Sequence, residues 1–304
     1  MGVMMHRCPG GSAPAFPRVI AVLAALLMPQ PAPGGEPPDL LSQQQEILAA
    51  IEDSPFGEPL HVESEETERA VHGHIHAVVD KPFDRLAGRL GSVSDWCEIL
   101  FLHHNIKACV QAGNGDDADL TLYIGRKRYQ EPEDAERTDL RLHVHALEED
   151  RLDIELAAER GPYGIRDFHM RIQAVPLDGG RSLLGFRYSV GYGAVARLAM
   201  RVYFAFGGRG RIGFTVERRD EDGEPVYIRG LRGMIERNSM RFYFALQTYL
   251  ELPEVDDLEK RLTRWFDLTE RHPEQLRELD RETYLLQKRR ERDNQDQLQR
   301  ERTG

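Results

Sequence analysis

Apolar and polar residues alternate in AVHGHIHAVVD, where Val71, Ile75, Ala77 and Val79 fall on one side and His72, His74 and His76 on the other. A period of two predicts a half-buried strand. The same alternation recurs over about 106–111, 119–127, 140–147, 151–158, 167–176 and 182–191, with short turns such as PLDGGR between segments. Consecutive hairpins of this kind predict an antiparallel sheet. RIGFTVE and PVYIRG read as two more strands.

Helical periods flank the strands. KPFDRLAGRLGS places Pro82 at a helix start with Phe83, Leu86 and Leu90 at helical spacing, and SDWCEIL reads as a second short helix capped by Ser94 or Asp95. DLLSQQQEILAAIED predicts a short helix inside an otherwise linker-like 35–67, and AVARLAMRVYFAF a helix running into a strand. A long helix starts near Gly233 and stops at Pro253. Its stripe is Ile235, Ser239, Phe242, Leu246 and Tyr249, with Asn238 at the edge and Arg237 and Arg241 one turn apart on the other side. Residues 253–304 predict charged helices whose buried face is Leu258, Leu262, Trp265 and Phe266. The run QKRRERDNQDQLQRER reads as a solvated helical face or a frayed tail.

The N-terminus changes the picture of compartment. Arg7 and Arg18 precede ten apolar residues, Val19–Met28, followed by PQPAPGGE. This is the layout of a secretory signal, with cleavage expected near Gly34 and export to the periplasm. Ten residues span about 15 Å of helix, half a bilayer, so an uncleaved anchor is the weaker alternative. Removal of residues 1–34 leaves 38 basic against 51 acidic side chains, a net charge of −13. Such a charge argues against nucleic acid as a partner.

Export also bears on the cysteines. Cys97 and Cys109 are the two that remain after residue 34, and an even pair in an oxidising compartment predicts one disulfide. Free thiols, or a metal held as C-x5-H-H-x4-C with His103 and His104, are the alternatives. HGHIH and HVH (His143 and His145) could also present imidazoles to a metal, but no carboxylate partner is evident nearby in sequence. No metal and no cofactor is therefore expected. Gly191-x-Gly193-x-x-Ala196, with Glu217 further on, matches a dinucleotide fingerprint on paper. The antiparallel strands before it argue against the parallel sheet that the motif needs.

Strand, two short helices, a long meander and then a long helix is an α+β order that resembles the START-like, helix-grip superfamily of polyketide cyclases and lipid-transfer proteins, over about residues 68–252. KPF, WCEILFLHHNIKAC, YIGRK, GPYGIRDF, YSVGYG, IGFTVE and RGMIERNSMRFYFAL are similar to a group of exported bacterial proteins of uncharacterised function in that superfamily. The resemblance implies a curved antiparallel sheet wrapped round the long C-terminal helix, with an apolar cavity between them for a lipid-like or other apolar molecule. Phe186, Tyr188, Tyr192, Asn238, Ser239, Phe242 and Leu246 face that space and are the expected ligand-binding residues. Side chains that merely fill the core are the plain alternative. Two other functions fit the same order of elements. One is an enzyme using Tyr188 or His103 as acid or base. The other is an interaction protein that docks a partner through its C-terminal helices. Arg166 and Asp167, and Glu236 with Arg237 and Arg241, read either as a charged gate or carboxylate fork or as loop-anchoring ion pairs.

Overall fold

The structure, a computed structural model, describes residues 40–113, 117–206, 210–253 and 258–303. The expected signal segment and the first residues of the linker lie outside the described residues. Eight strands form one antiparallel sheet: β1 (Leu60–Glu66), β2 (Ala70–Val79), β3 (Ile106–Ala112), β4 (Asp117–Ile124), β5 (Glu136–Leu147), β6 (Leu152–Arg160), β7 (Ile165–Leu177) and β8 (Arg181–Tyr192). Their spatial order is β1-β2-β8-β7-β6-β5-β4-β3. Strand β2 therefore pairs with β8, and α2 (Phe83–Leu90) and α3 (Val93–Phe101) carry the chain from β2 to the far edge at β3. This is the helix-grip arrangement. The glycine fingerprint follows β8, which is flanked by antiparallel neighbours on both sides.

Strand β1 was expected as linker. Only Leu60 and Val62 are inward apolar residues, and the rest of the strand, ESEE, is polar and mostly exposed. Two alternating positions are too few to signal a strand, yet β1 pairs with β2 along its whole length. The helix α1 (Gln44–Glu52) forms as expected and packs Ile47 and Ile51 with Leu40 onto Val175 and Leu183 of the outer sheet face. The expected cap of α3 shifts to Ser92, which makes no side-chain cap bond. The segment after β8 is helical throughout, α4 (Ala194–Phe206), and β9 (Val216–Arg219) and β10 (Pro225–Tyr227) form a separate ribbon.

The long helix α5 (Gly230–Glu251) crosses the inner face against β1, β2 and β8. Ile235, Ser239, Phe242, Leu246 and Tyr249 are all buried on it. Gly73 permits the close approach, because a Cβ there would stand 2.6 Å from Ser239 Oγ. Arg237 and Arg241, on the opposite side of the helix, are also buried, at 6 % and 3 % exposure. The reason is a second layer: α6 (Leu258–Thr269), α7 (Pro273–Leu276) and α8 (Arg281–Thr303) cover the outer face of α5 and the sheet edge. A helix covered all round carries no simple polar face.

Helix α8 differs most from the sequence expectation. It lies along β3, an edge strand with backbone groups to satisfy. Lys288 Nζ donates to Ile106 O at 2.7 Å, Cys109 N donates to Gln295 Oε1 at 2.7 Å, and Gln111 N donates to Gln299 Oε1 at 2.9 Å. The Gln299 amide returns a bond to Gln111 O at 3.1 Å. Eleven helical residues and five extended ones both cover about 17 Å, so the side chains stay in step with the strand. The run expected as a solvated helical face or a frayed tail is helical, and its inner face is a side-chain substitute for a ninth strand. Its outer face is solvated and exposes Leu286.

Cys97 of α3 and Cys109 of β3 are joined by a disulfide, with Cα atoms 5.2 Å apart. Both are buried in the main core. A bridge closing a loop this short contributes about 2–4 kcal/mol. The double variant Cys97→Ala/Cys109→Ala is expected to lose that amount in guanidinium unfolding, and reductant should destabilise the parent equally. Equal midpoints for oxidised and reduced protein would contradict this.

Candidate functional site

The inner sheet face and α5 bring most of the expected ligand residues together. Ser239 sits over Gly73, whose register partner on β8 is Tyr188. The Tyr188 ring lies 5.6 Å from Phe242 and 5.3 Å from Phe168. Phe242 in turn stacks on His103 at 4.6 Å. Phe186 and Leu246 are buried in the same cluster. Asn238 is only half-buried, at the margin of the interface. Tyr192 is committed elsewhere: its hydroxyl donates to the Thr67 and Ala70 carbonyls at 3.1 and 3.2 Å, tying down the β1–β2 turn.

Polar atoms inside this apolar shell lack partners. Ser239 Oγ and the Nε2 atoms of His103 and His104 are buried without a hydrogen bond among the described residues. Buried polar groups are nearly always paired, so such a group asks for an explanation. His103 Nδ1 accepts a bond from Asn105 N at 3.1 Å. Burial first, and Arg241 next, holds His103 neutral, well below the usual histidine range. A neutral ring that accepts at Nδ1 carries its proton on Nε2. Burial likewise raises Tyr188, so its hydroxyl stays protonated. At neutral pH the interior therefore offers neutral donors. His103 is a weak base there, which disfavours the acid–base role considered from sequence.

Carboxylate partners for the histidine ladders, not evident in sequence, are present in space. His143 Nδ1 lies 2.7 Å from Asp117, and Glu155 bridges His145 at 3.1 Å and His169 at 3.0 Å. Glu63 stands across from His74 on β1. Burial, then Arg187 and the neighbouring rings, lowers His74 to about 3. Among the described residues, no group of three or more His, Cys, Asp or Glu is placed to hold a metal ion.

Glu236 proves to be a loop anchor. It is fully buried, and its carboxylate accepts from Ser64 Oγ at 2.5 Å, Phe214 N at 2.6 Å, Thr215 N at 2.9 Å and Thr215 Oγ1 at 2.8 Å. Arg166 and Asp167 line an outer cleft of about 550 Å³ with Glu68, Arg69 and Arg197. Two further clefts, of about 660 and 650 Å³, lie by Lys81–Asp95 and by Arg137–Arg141. Neither contains an expected ligand residue, and the first contains only Tyr192.

No protein-family model matches the chain, and no curated protein matches it. Solved structures do. A conserved protein of unknown function from Enterococcus faecalis aligns over 74 % of this chain and 95 % of its own, at 7 % identity and a TM-score of 0.35. Norcoclaurine synthase from Thalictrum flavum covers 45 % and 86 %, at 11 % identity and 0.33. An aromatase/cyclase from Streptomyces sp. R1128 covers 65 % and 94 %, at 12 % and 0.32. At these values the likeness carries no argument by itself, and the helix-grip assignment rests on the chain's own sheet order and α5 packing.

Proposed function

We propose that the chain is an exported binding protein for a lipid-like or other small apolar molecule, held between the inner sheet face and α5. The observation that supports this most is the set of polar groups without partners, Ser239 Oγ and His103 Nε2, inside a shell of Phe186, Phe242 and Leu246. The donors there are neutral, so the ligand they suit is largely apolar with a neutral acceptor such as a carbonyl or hydroxyl. Affinity would come from apolar burial at about 25 cal/mol per Å², and orientation from the few polar atoms. The side chains pack against one another here, so binding would part Phe242 from Tyr188. The apolar leader at Val19–Met28 and the buried disulfide support export.

Titration with a fluorescent long-chain alcohol tests the reading. Ser239→Ala and Tyr188→Phe remove hydroxyls without opening the core, so stability should change by less than about 1 kcal/mol. Their affinities should fall about 5–10-fold, equivalent to one lost hydrogen bond each. Uptake that is absent in the parent, or identical in both variants, would remove the basis for this site.

A further inference from the structure

A second group of charges lies on the outer side of α5, away from the grip. Glu278, between α7 and α8, is surrounded by cations. Lys127 Nζ stands 2.5 Å and Arg241 Nη2 3.2 Å from its Oε1, and Arg211 Nη1 binds the same oxygen. Three cations therefore converge on one carboxylate oxygen. Among the described residues Arg237, one turn before Arg241, makes no ion pair: its hydrogen bond goes from Nη1 to the Ile212 carbonyl at 3.0 Å, and Glu278 reaches it only at longer range. The neighbouring Glu236 cannot serve it, since that carboxylate is taken up by Ser64, Phe214 and Thr215. Arg241 Nε is buried without a partner. Four cationic side chains thus face one carboxylate in a protein whose overall charge is −11.

The cluster runs from a buried end to an exposed one. Arg241 and Arg237 are buried, whereas the side chains of Arg211 and Lys127 are 36 % and 38 % exposed. Burial, then repulsion from Arg211, depresses Arg237 to about 10. Burial depresses Lys127 to about 8 despite its bond to Glu278. Buried charge without a counter-charge is costly, and guanidinium forks match oxyanions in shape.

We propose that Arg237, Arg241, Arg211 and Lys127 form a binding site for an oxyanion, the phosphate or carboxylate group of a small molecule, taken up beside Glu278. The site is distinct from the grip, although Arg241 also helps to keep His103 neutral. Without its ligand it carries uncompensated charge, so the protein gives up stability to keep it.

Thermal unfolding of the full chain in rising inorganic phosphate, at constant ionic strength, tests this. The parent Tm should rise and saturate, since a ligand of the folded state stabilises it. Arg237→Met should unfold at a higher temperature than the parent without phosphate, and its phosphate affinity should be about tenfold or more weaker. A merely structural arginine would give the reverse, a lower Tm. Arg211→Gln, at the exposed end of the cluster, gives a second readout should Arg237→Met fail to fold, and it too must weaken the response. Octyl phosphate as the probe separates two sources: tighter binding than phosphate identifies an amphiphile's head group, equal binding a free anion. A parent indifferent to both probes, or a response unchanged in both variants, would overturn the site.

Discussion

Glu236→Ala is expected to lower the unfolding free energy by about 4 kcal/mol or more, near the limit for one substitution. The carboxylate is fully buried and holds two backbone N–H groups, at Phe214 and Thr215, and two hydroxyls, at Ser64 and Thr215. Its removal strands the buried Phe214 N–H and takes the acceptor from Thr215 N and Ser64 Oγ, which are part-buried, while Thr215 Oγ1 keeps only a long contact to Val62 O at 3.4 Å; a stranded donor costs far more than a made bond returns. The same contact moors α5 to β1 and to the segment that enters β9, so Ser239 and Arg237 would lose their placement together. Gly213 allows this geometry, because a Cβ there would come within 2.5 Å of Glu236 Oε2 and 2.8 Å of Gly233 Cα. Chemical denaturation reads the effect directly. A loss below about 1 kcal/mol would mean that water replaces the carboxylate and that the anchor is not buried in solution.

Glu291→Gln should be nearly as damaging, about 3–5 kcal/mol, and its cost should depend on pH. Glu291 lies fully buried between Lys107 Nζ at 2.9 Å and Lys288 Nζ at 2.8 Å. Lys288 also sits 3.6 Å from the centre of the Phe101 ring. Neutralising the acid leaves two ammonium groups facing each other without a counter-charge. In the parent, burial already lowers Lys288 from 10.5 to about 8. A depressed folded-state pKa means that this group's stability contribution is present above 10.5 and lost as pH falls through about 8. The variant should depress both lysines further, so its deficit relative to the parent should be largest at neutral pH and shrink as pH rises. Unfolding curves at neutral and alkaline pH check both the size and the trend. A small, pH-independent deficit would show that α8 is not seated on β3.

What the sequence disclosed follows from which signals are local. Strands β2 and β4–β8 alternate cleanly, so their existence and facing were legible, as was the Ile235–Tyr249 stripe of α5. Strand β1 was not, because its outer half is acidic and only Leu60 and Val62 alternate inward. The role of α8 was hidden by composition. Lys288, Glu291 and Gln295 form an inward stripe made of polar residues, which has meaning only beside an unpaired strand edge. Periodicity likewise located Tyr188, Ser239 and Phe242. It could not show that His103 stacks on Phe242, nor that Lys127, Arg211 and Glu278 meet Arg241, since those residues lie far apart along the chain. The acid partners of the outer histidines were missed for the same reason.

An apolar molecule held in the grip between sheet and α5 should stay with the protein through purification. Native mass spectrometry of the oxidised protein, purified after export and without detergent, tests it most directly. The expected result is a bound species of lipid-like mass that is lost on unfolding and depleted in Ser239→Ala and Tyr188→Phe. A protein that is bare as purified, and that stays bare after incubation with long-chain alcohols and lipids, would contradict it.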